Sequence, residues 1–306
     1  MLTDGCILTL DVGGTYIKHA LMMGAGEPAG YPGQTPTGSG GSAGEALAAL
    51  AGVASAARLK ARECGLRIDG LAIAFPGPFE YDHGVPMMRH KFQALYGISI
   101  TPALLEALPG VPIVYMHDST AFLLGEAAYG AAKGATSPAG VMLGTGLGFA
   151  CMAEGRVRVS PDQRPAVRVW NRPFREGIAE DALSARGIAA RYAARTGTER
   201  DAKEIAARAR EGESTALAVY RETGVMLGEI IGPVLRGLGS DRLVVGGQVA
   251  RSAELFLPYT GLDVPVVCAD SLDAAALKGA YAYFRLGRER AVEVVGDDLK
   301  KVTIQV

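Results

Sequence analysis

A duplicated α/β fold is predicted by two observations on the 306-residue sequence. A strand, a glycine-rich turn and a second strand occupy Ile7 to Ala20, and the same unit recurs from Val141 to Met152. After each of them short apolar runs alternate with helical patterns, the layout of two α/β domains with a central cleft. The N-terminal domain is expected over residues 1–120 and the C-terminal domain over 121–306. A last helix, about 273–286, is a candidate to pack back on the N-terminal domain.

The elements follow in order. The first hairpin is centred on Asp11-Val12-Gly13-Gly14-Thr15, and Tyr31 to Gly44, rich in Gly, Pro, Ser and Thr, reads as a loop. Glu45 to Cys64 is alanine-rich with apolar residues at helical spacing and a basic end. Gly70 to Phe75 is a buried strand stopped by Pro76-Gly77-Pro78; Thr101 to Leu108 is a helix and Pro112 to Met116 a strand. His117-Asp118-Ser119-Thr120 opens a helix that runs to Tyr129. Strands at Ala139–Leu143 and Phe149–Met152 flank Gly144-Thr145-Gly146-Leu147-Gly148, and Glu154-Gly155 turns the next hairpin. Arg156 to Arg175 lacks periodicity, whereas Glu176–Ala194, Ala202–Glu211 and Ser214–Leu238 are helical. Asp241 to Val245 is a strand running into Gly246-Gly247-Gln248, followed by a short strand at Val264–Val267 and a helix at Asp273–Leu286. The tail Asp297–Lys301 and Val302–Val306 reads as an edge strand or a loose end.

Composition narrows the function classes. Hydrophobic residues make up 49% and charged residues 21%, as in a soluble globular protein. The formal net charge of −1 leaves no electrostatic footprint for nucleic acid or an anionic membrane. Cys6, Cys64, Cys151 and Cys268 are scattered without a CxxC pair, and His19, His83, His90 and His117 have no ligand spacing. The cysteines therefore read as reduced thiols rather than a disulfide framework. With no leader and no apolar run of spanning length, a cytoplasmic location is expected. The 41 glycines are about twice the usual ~7% share, and many fall in turns.

Three stretches carry chemistry. Gly13 and Gly14 let the backbone approach a bulky anion with successive N–H groups, Thr15 adds a hydroxyl, and Asp11 sets a carboxylate where a hydrated cation could sit. Read alone, the same glycines are a tight hairpin turn. Asp118 ends a strand and opens a helix, a place for a general base or for a helix cap. Lys18 approaches phosphate or simply points outward from its strand.

In this order, Asp11-x-Gly13-Gly14-Thr15-x-x-Lys18, Asp118, Gly144-Thr145-Gly146-x-Gly148 and Gly246-Gly247 resemble the ROK (repressor, open reading frame, kinase) family, over roughly residues 7–286. That resemblance implies an actin/hexokinase-like (ribonuclease H-like) fold and ATP-dependent phosphorylation of a sugar hydroxyl by a glucokinase-like hexose or amino-sugar kinase. It assigns the ATP phosphates to Asp11, Gly13, Gly14, Thr15, Lys18, Gly144, Thr145 and Gly146, and the nucleoside to Gly246, Gly247 and Gln248. Asp11 would hold Mg²⁺ through water, and Asp118 would be the general base. Gly77, Pro78, His117, Asp118 and Glu180 would line the sugar site, with Tyr81-Asp82-His83-Gly84 and Arg89-His90-Lys91-Phe92 as specificity elements. The partners implied are a small-molecule sugar and ATP, with room for a homodimer.

The sequence departs from the family at two points. Ile178 stands where a zinc-binding cysteine would, with no cysteine cluster nearby, so no zinc is expected. His117 replaces the asparagine beside the catalytic aspartate; it still donates one hydrogen bond but is bulkier and titratable. Rival readings are a family repressor, which would carry a helix-turn-helix ahead of a hairpin that here begins at residue 7, a catalytically idle sugar-binding or regulatory protein, and a kinase for a non-sugar acceptor.

Overall fold

The computed structural model describes residues 4–89, 91–296 and 299; His90 of the expected specificity stretch, and the tail of charged residues and valines from 297 on, Leu299 apart, lie outside the described residues. The chain divides into two compact units. The first takes the residues up to Tyr129, together with Val159–Arg164 and Ala274–Val294. The second takes Gly130–Arg158 and Pro165–Asp273.

In the first unit, strands β1 (Asp4–Val12), β2 (Tyr16–Met23), β3 (Glu27–Pro36), β4 (Leu66–Phe75) and β7 (Ile113–His117) form one sheet in the order β3-β2-β1-β4-β7. The β1–β2 and β2–β3 pairs are antiparallel, and β1–β4 and β4–β7 are parallel. Leu71 to Phe75 are all buried, the unbroken apolar run of a parallel strand covered on both faces. Helices α1 (Ala43–Glu63), α2 (Thr101–Ala107), α3 (Asp118–Tyr129) and α8 (Ala275–Leu286) pack with this sheet, and a small hairpin, β5 (Phe79–Glu80) and β6 (Val85–Pro86), follows β4. Helix α9 (Arg288–Ala291) and strand β15 (Val292–Val294) close the described part of this unit. Ser42 starts α1 with a capping box, its Oγ accepting from the Glu45 amide while Glu45 reaches back to the Ser42 amide.

Strand β3 corrects the expected loop at Tyr31–Gly44, because the strand runs on to Pro36, opposite Tyr16. Glycines and prolines are tolerated there because β3 is an edge strand and needs to donate on one side only. His19 fixes the pairing: its ring stacks on Tyr31 at 4.3 Å, and its Nδ1 lies 3.1 Å from the Tyr31 carbonyl oxygen. The helix that opens at Asp118 crosses α8 backbone to backbone. A Cβ on Gly125 would fall 2.0 Å from the Ala275 oxygen, and one on Gly279 1.7 Å from the Ala121 oxygen. This crossing joins α3 and α8 within the first unit.

The second unit repeats the pattern. Strands β8 (Pro138–Leu143), β9 (Leu147–Ala153), β10 (Arg156–Val159), β13 (Arg242–Gly246) and β14 (Val266–Cys268) run in the order β14-β13-β8-β9-β10, with β8–β9 antiparallel and β13 parallel to β8 and β14. Central β8 and β13 take the places that β1 and β4 hold in the first sheet. The short strands β11 (Pro173–Phe174) and β12 (Gly177–Ile178) pair beside helices α4 (Ala179–Leu183), α5 (Ala185–Thr196), α6 (Ala202–Arg210) and α7 (Ser214–Leu238). The single helix expected over Glu176–Ala194 is two helices broken at Ser184, whose extended backbone lets its Oγ cap the Gly187 amide. Each unit has its own apolar core, Leu8, Leu10, Leu50 and Ile73 in the first and Val141, Leu143, Leu227 and Val245 in the second.

Candidate active site

The first glycine turn joins β1 to β2, with Asp11 directly opposite Lys18 across the hairpin. Four contacts settle which way its peptides face. The Gly13 amide closes the turn on the Tyr16 carbonyl, at 2.9 Å. Thr37 donates its hydroxyl to the Gly13 carbonyl at 2.9 Å and its amide to the Thr15 carbonyl, and the Ser39 hydroxyl donates to the Gly14 carbonyl. The carbonyls are thereby occupied, and the N–H groups of Gly14 and Thr15 have no partner among the described residues. Two adjacent amides without acceptors suit a phosphate oxygen.

Asp11 fits a hydrated divalent cation. Burial pushes its carboxyl up to about 6; Lys18 opposes that shift and the Asp118 charge adds to it. A carboxylate penalised for its charge is one whose ionisation a bound cation would restore. Among the described residues no three His, Cys, Asp or Glu side chains gather as a metal cage. Such an ion would rest on this carboxylate, water and phosphate oxygens, the usual habit of Mg²⁺.

Asp118 is the first residue of α3, at the end of β7. Its Oδ1 lies 2.8 Å from His117 Nδ1 and accepts from the Ser119 amide at 2.6 Å and the Ser119 hydroxyl at 3.2 Å. Burial raises its pKa, but the charge and hydrogen bond of His117 and the two Ser119 donors outweigh that, and the group is held below the usual carboxylate range. The side chain keeps 30% exposure, enough for a substrate hydroxyl to reach its oxygens. The cap and the base are therefore not exclusive roles, because one oxygen serves the backbone and a second lone-pair set stays open.

His117 packs against the turn after β4: a Cβ on Gly77 would lie 3.3 Å from its Cδ2 and Nε2. Tyr81 stands 6.2 Å away, ring to ring, and donates its hydroxyl to the Phe75 carbonyl at 3.1 Å. Burial pushes the Tyr81 hydroxyl well up; the Asp118 and Asp162 charges add to this and Arg164 opposes it. The segment Val159–Arg164, which lacks periodicity in the sequence, belongs to the first unit. Within it Arg164 pairs with Asp162, and Gln163 reaches 2.8 Å to Asp82, which also receives Arg288 at 2.9 Å. Periodicity could not find these residues, because Val159–Arg164 is neither helix nor sheet beyond its first residue.

In the second unit the turn Gly144-Thr145-Gly146 joins β8 to β9. The Gly144 amide closes it on the Gly146 carbonyl at 3.0 Å, and the Gly144 carbonyl accepts from Ala185 at 2.8 Å. Glu180 holds the far side: its Oε2 accepts from the Leu147 amide at 3.0 Å, and its Oε1 meets Arg186 at 3.2 Å. A Cβ on Gly146 would come within 2.8 Å of that Oε2. Glu180, expected as a sugar ligand, is thus bonded to the second glycine turn. Gly247, at φ +84°, brings its backbone against Leu143, where a Cβ would sit 2.4 Å from the carbonyl oxygen. Gln248 follows, its Oε1 accepting from Arg251 at 2.9 Å.

Asp11, Lys18, Gly13 to Thr15, Gly77, His117 and Asp118 thus lie in the first unit, and Gly144 to Gly146, Glu180 and Gly246 to Gln248 in the second. The ROK family model matches residues 7–160 and 175–282. The chain is 21% identical over 208 residues to a glucokinase of Thermotoga maritima, spanning 60% of this chain and 65% of that one, just under two thirds of that relative's length. It is 24% identical over 285 residues to a glucokinase of Halalkalibacterium halodurans, spanning 84% of each. Among solved structures, a ROK family glucokinase from Streptomyces griseus in complex with glucose and AMPPNP matches with TM-score 0.75 and 20% identity, over 92% of this chain and 100% of that one. A ROK family transcriptional regulator, described as a homolog of the E. coli MLC protein, matches with TM-score 0.76 and 19% identity, over 99% and 82%. Both glycine turns, the Asp118 strand end and the repeated sheets fall inside the matched residues, and the chain belongs to the ROK family, with its actin/hexokinase-like fold.

Proposed function

We propose that the protein is an ATP-dependent kinase for a sugar hydroxyl, of the hexose or amino-sugar class, with Asp118 as general base. The observation that carries this reading is the Asp118 carboxylate itself, held ionised by His117 and Ser119 yet open to a hydroxyl. Phosphoryl transfer asks for positioning and charge neutralisation more than covalent chemistry. A low-pKa carboxylate suits it, since the proton need leave the hydroxyl only as the phosphorus–oxygen bond forms. Asp118 would take that proton while the sugar oxygen bonds to the γ-phosphorus and ADP departs.

The N–H groups of Gly14 and Thr15, with those of Thr145 and Gly146, are assigned to the donor phosphates, and Gly246 to Gln248 to the nucleoside. Mg²⁺, when bound, would supply charge neutralisation at the phosphate oxygens, with Asp11 holding it through water. His117, Gly77 and Pro78 are assigned to the acceptor, and Glu180 to the acceptor through its link with Arg186. No helix among the described residues is long and apolar enough to cross a membrane, and a cytoplasmic enzyme fits this reading.

His117 beside Asp118 and Ile178 before Glu180 depart from the family pattern on the acceptor side, and this favours a second reading, a catalytically idle sugar-binding protein. A panel of hexoses, amino sugars and non-sugar alcohols assayed for ATP consumption separates the two. Turnover with one sugar supports the kinase; binding without ATP consumption across the panel supports the idle protein. Metal analysis of the purified protein is expected to show no stoichiometric zinc, since Ile178 offers no thiolate.

A further inference from the structure

The geometry points to Lys91 as a phosphate ligand of the first glycine turn, its ammonium set to meet the terminal phosphoryl group of the donor. This rests on the kinase reading and adds to it a cation that neither glycine turn supplies. The stem of Lys91 lies across Gly14: a Cβ there would fall 3.3 Å from Lys91 Cδ and 3.5 Å from its Cε. The ammonium is one bond beyond that Cε, and the turn the stem crosses carries the two amides of Gly14 and Thr15 that have no acceptor among the described residues. Lys91 forms no ion pair or hydrogen bond among the described residues. The basic groups that act on Asp11 and Asp118 are Lys18 and His117, so the charge of Lys91 is not spent on either carboxylate.

The lysine is also held in place. Phe92, next in the chain, adopts φ +51°, is 1% exposed and packs its ring 5.0 Å from that of Phe75 at the end of β4. A buried aromatic anchor in a left-handed conformation fixes the direction in which residue 91 leaves the chain. An apolar stem laid on a glycine, with a free ammonium at its end, is how a lysine serves as a point charge for phosphate. The absence of a side chain at Gly14 then has a second purpose: it makes room for the lysine as well as for the anion.

The test compares ADP with AMPPNP, which differ by the terminal group, by calorimetry in Mg²⁺ buffer, alongside turnover with a sugar accepted by the wild type. The wild type is expected to bind AMPPNP more tightly than ADP. In Lys91→Met, AMPPNP affinity is expected to fall tenfold or more, ADP affinity to change less than twofold, and kcat to fall about 100-fold with the sugar KM unchanged. Lys91→Arg is expected to recover most of the AMPPNP preference, which a merely structural role would not explain. Lys91→Gln, with thermal melting as a folding control, replaces the methionine variant if that one is unstable. Equal preference for AMPPNP in the wild type and Lys91→Met, or no preference in the wild type, overturns the assignment. A wild type that binds both nucleotides but phosphorylates no sugar overturns the sugar-kinase reading, and the AMPPNP preference still decides Lys91.

Discussion

The two glycine turns occupy the same place in two repeated sheets, yet they are secured by different means. In the first, neutral hydroxyls of Thr37 and Ser39 bind the turn carbonyls, while charge is gathered around it in Asp11, Lys18, Lys91 and Asp118. In the second, the position that corresponds to Asp11 is the half-buried Met142, and the turn is held by a carboxylate, Glu180, on the Leu147 amide. Duplication has supplied two similar backbone cradles, but ionisable groups suited to metal binding and proton removal were placed in one of them. The first turn is surrounded by ionisable groups, and the second is braced by one carboxylate.

If that contrast is right, the largest effect belongs to Asp118. Asp118→Ala is expected to lower kcat by about 10³-fold, within the usual 10²–10⁴ for a general base, with sugar and nucleotide affinities nearly unchanged. Turnover near the wild-type value would remove the base from the first unit and the contrast with it.

Glycine substitutions sharpen the same difference. Gly247→Ala forces a Cβ into the Leu143 carbonyl at a left-handed φ and should cost roughly 2–4 kcal/mol of stability, read as a lowered Tm. Gly14→Ala meets only the flexible stem of Lys91, so stability should change by less than about 1 kcal/mol while nucleotide affinity falls. Equal losses of stability at the two sites would mean that both turns are merely structural.

Asp11 offers a pH test. Its carboxyl is pushed up to about 6, so the fold favours the protonated form. The stability this brings is fully present below the ordinary carboxylate pKa near 4 and is lost as pH rises through about 6. Asp11→Asn cannot ionise, and in metal-free buffer it should exceed the wild type by up to about 2 kcal/mol at pH 7 and match it near pH 4. A difference that stays flat between pH 4 and 7, followed by thermal melting, would contradict the assigned burial.

The smallest effect is expected at the supporting hydroxyl. Ser39→Ala removes one hydrogen bond to the first turn, worth about 1 kcal/mol, and should raise the KM for ATP severalfold with little change in kcat. A loss of kcat comparable to that of Asp118→Ala would show the hydroxyl acting in the reaction rather than on the turn.

The two glycine turns were legible in the sequence because glycine between apolar strands has few explanations, and Asp11, Gly13 to Thr15 and Gly144 to Gly146 stand out by type and spacing. The contacts between residues far apart in sequence were not. Lys91 meets Gly14 across a long stretch of sequence, and no periodicity links the two. Val159–Arg164 reads as featureless because its residues are fixed by Asp162–Arg164 and Gln163–Asp82 contacts instead of backbone repetition. The Tyr31–Pro36 part of β3 reads as a loop because its glycines and prolines say nothing of an available edge on β2. Glu180 was found by family resemblance, but its bond to Leu147 depended on α4 being a separate short helix, which a single helical pattern concealed.

The crossing of α3 and α8 through Gly125 and Gly279 also orders events in time. The ribosome releases Asp118 and its helix early, but the helix that seats them emerges only once residue 286 has been made. Throughout synthesis of the second unit, Ala121 and Gly125 of α3 lack the helix they pack against in the finished chain. An unfinished chain therefore has its first glycine turn long before the helix that carries Asp118 is seated against α8.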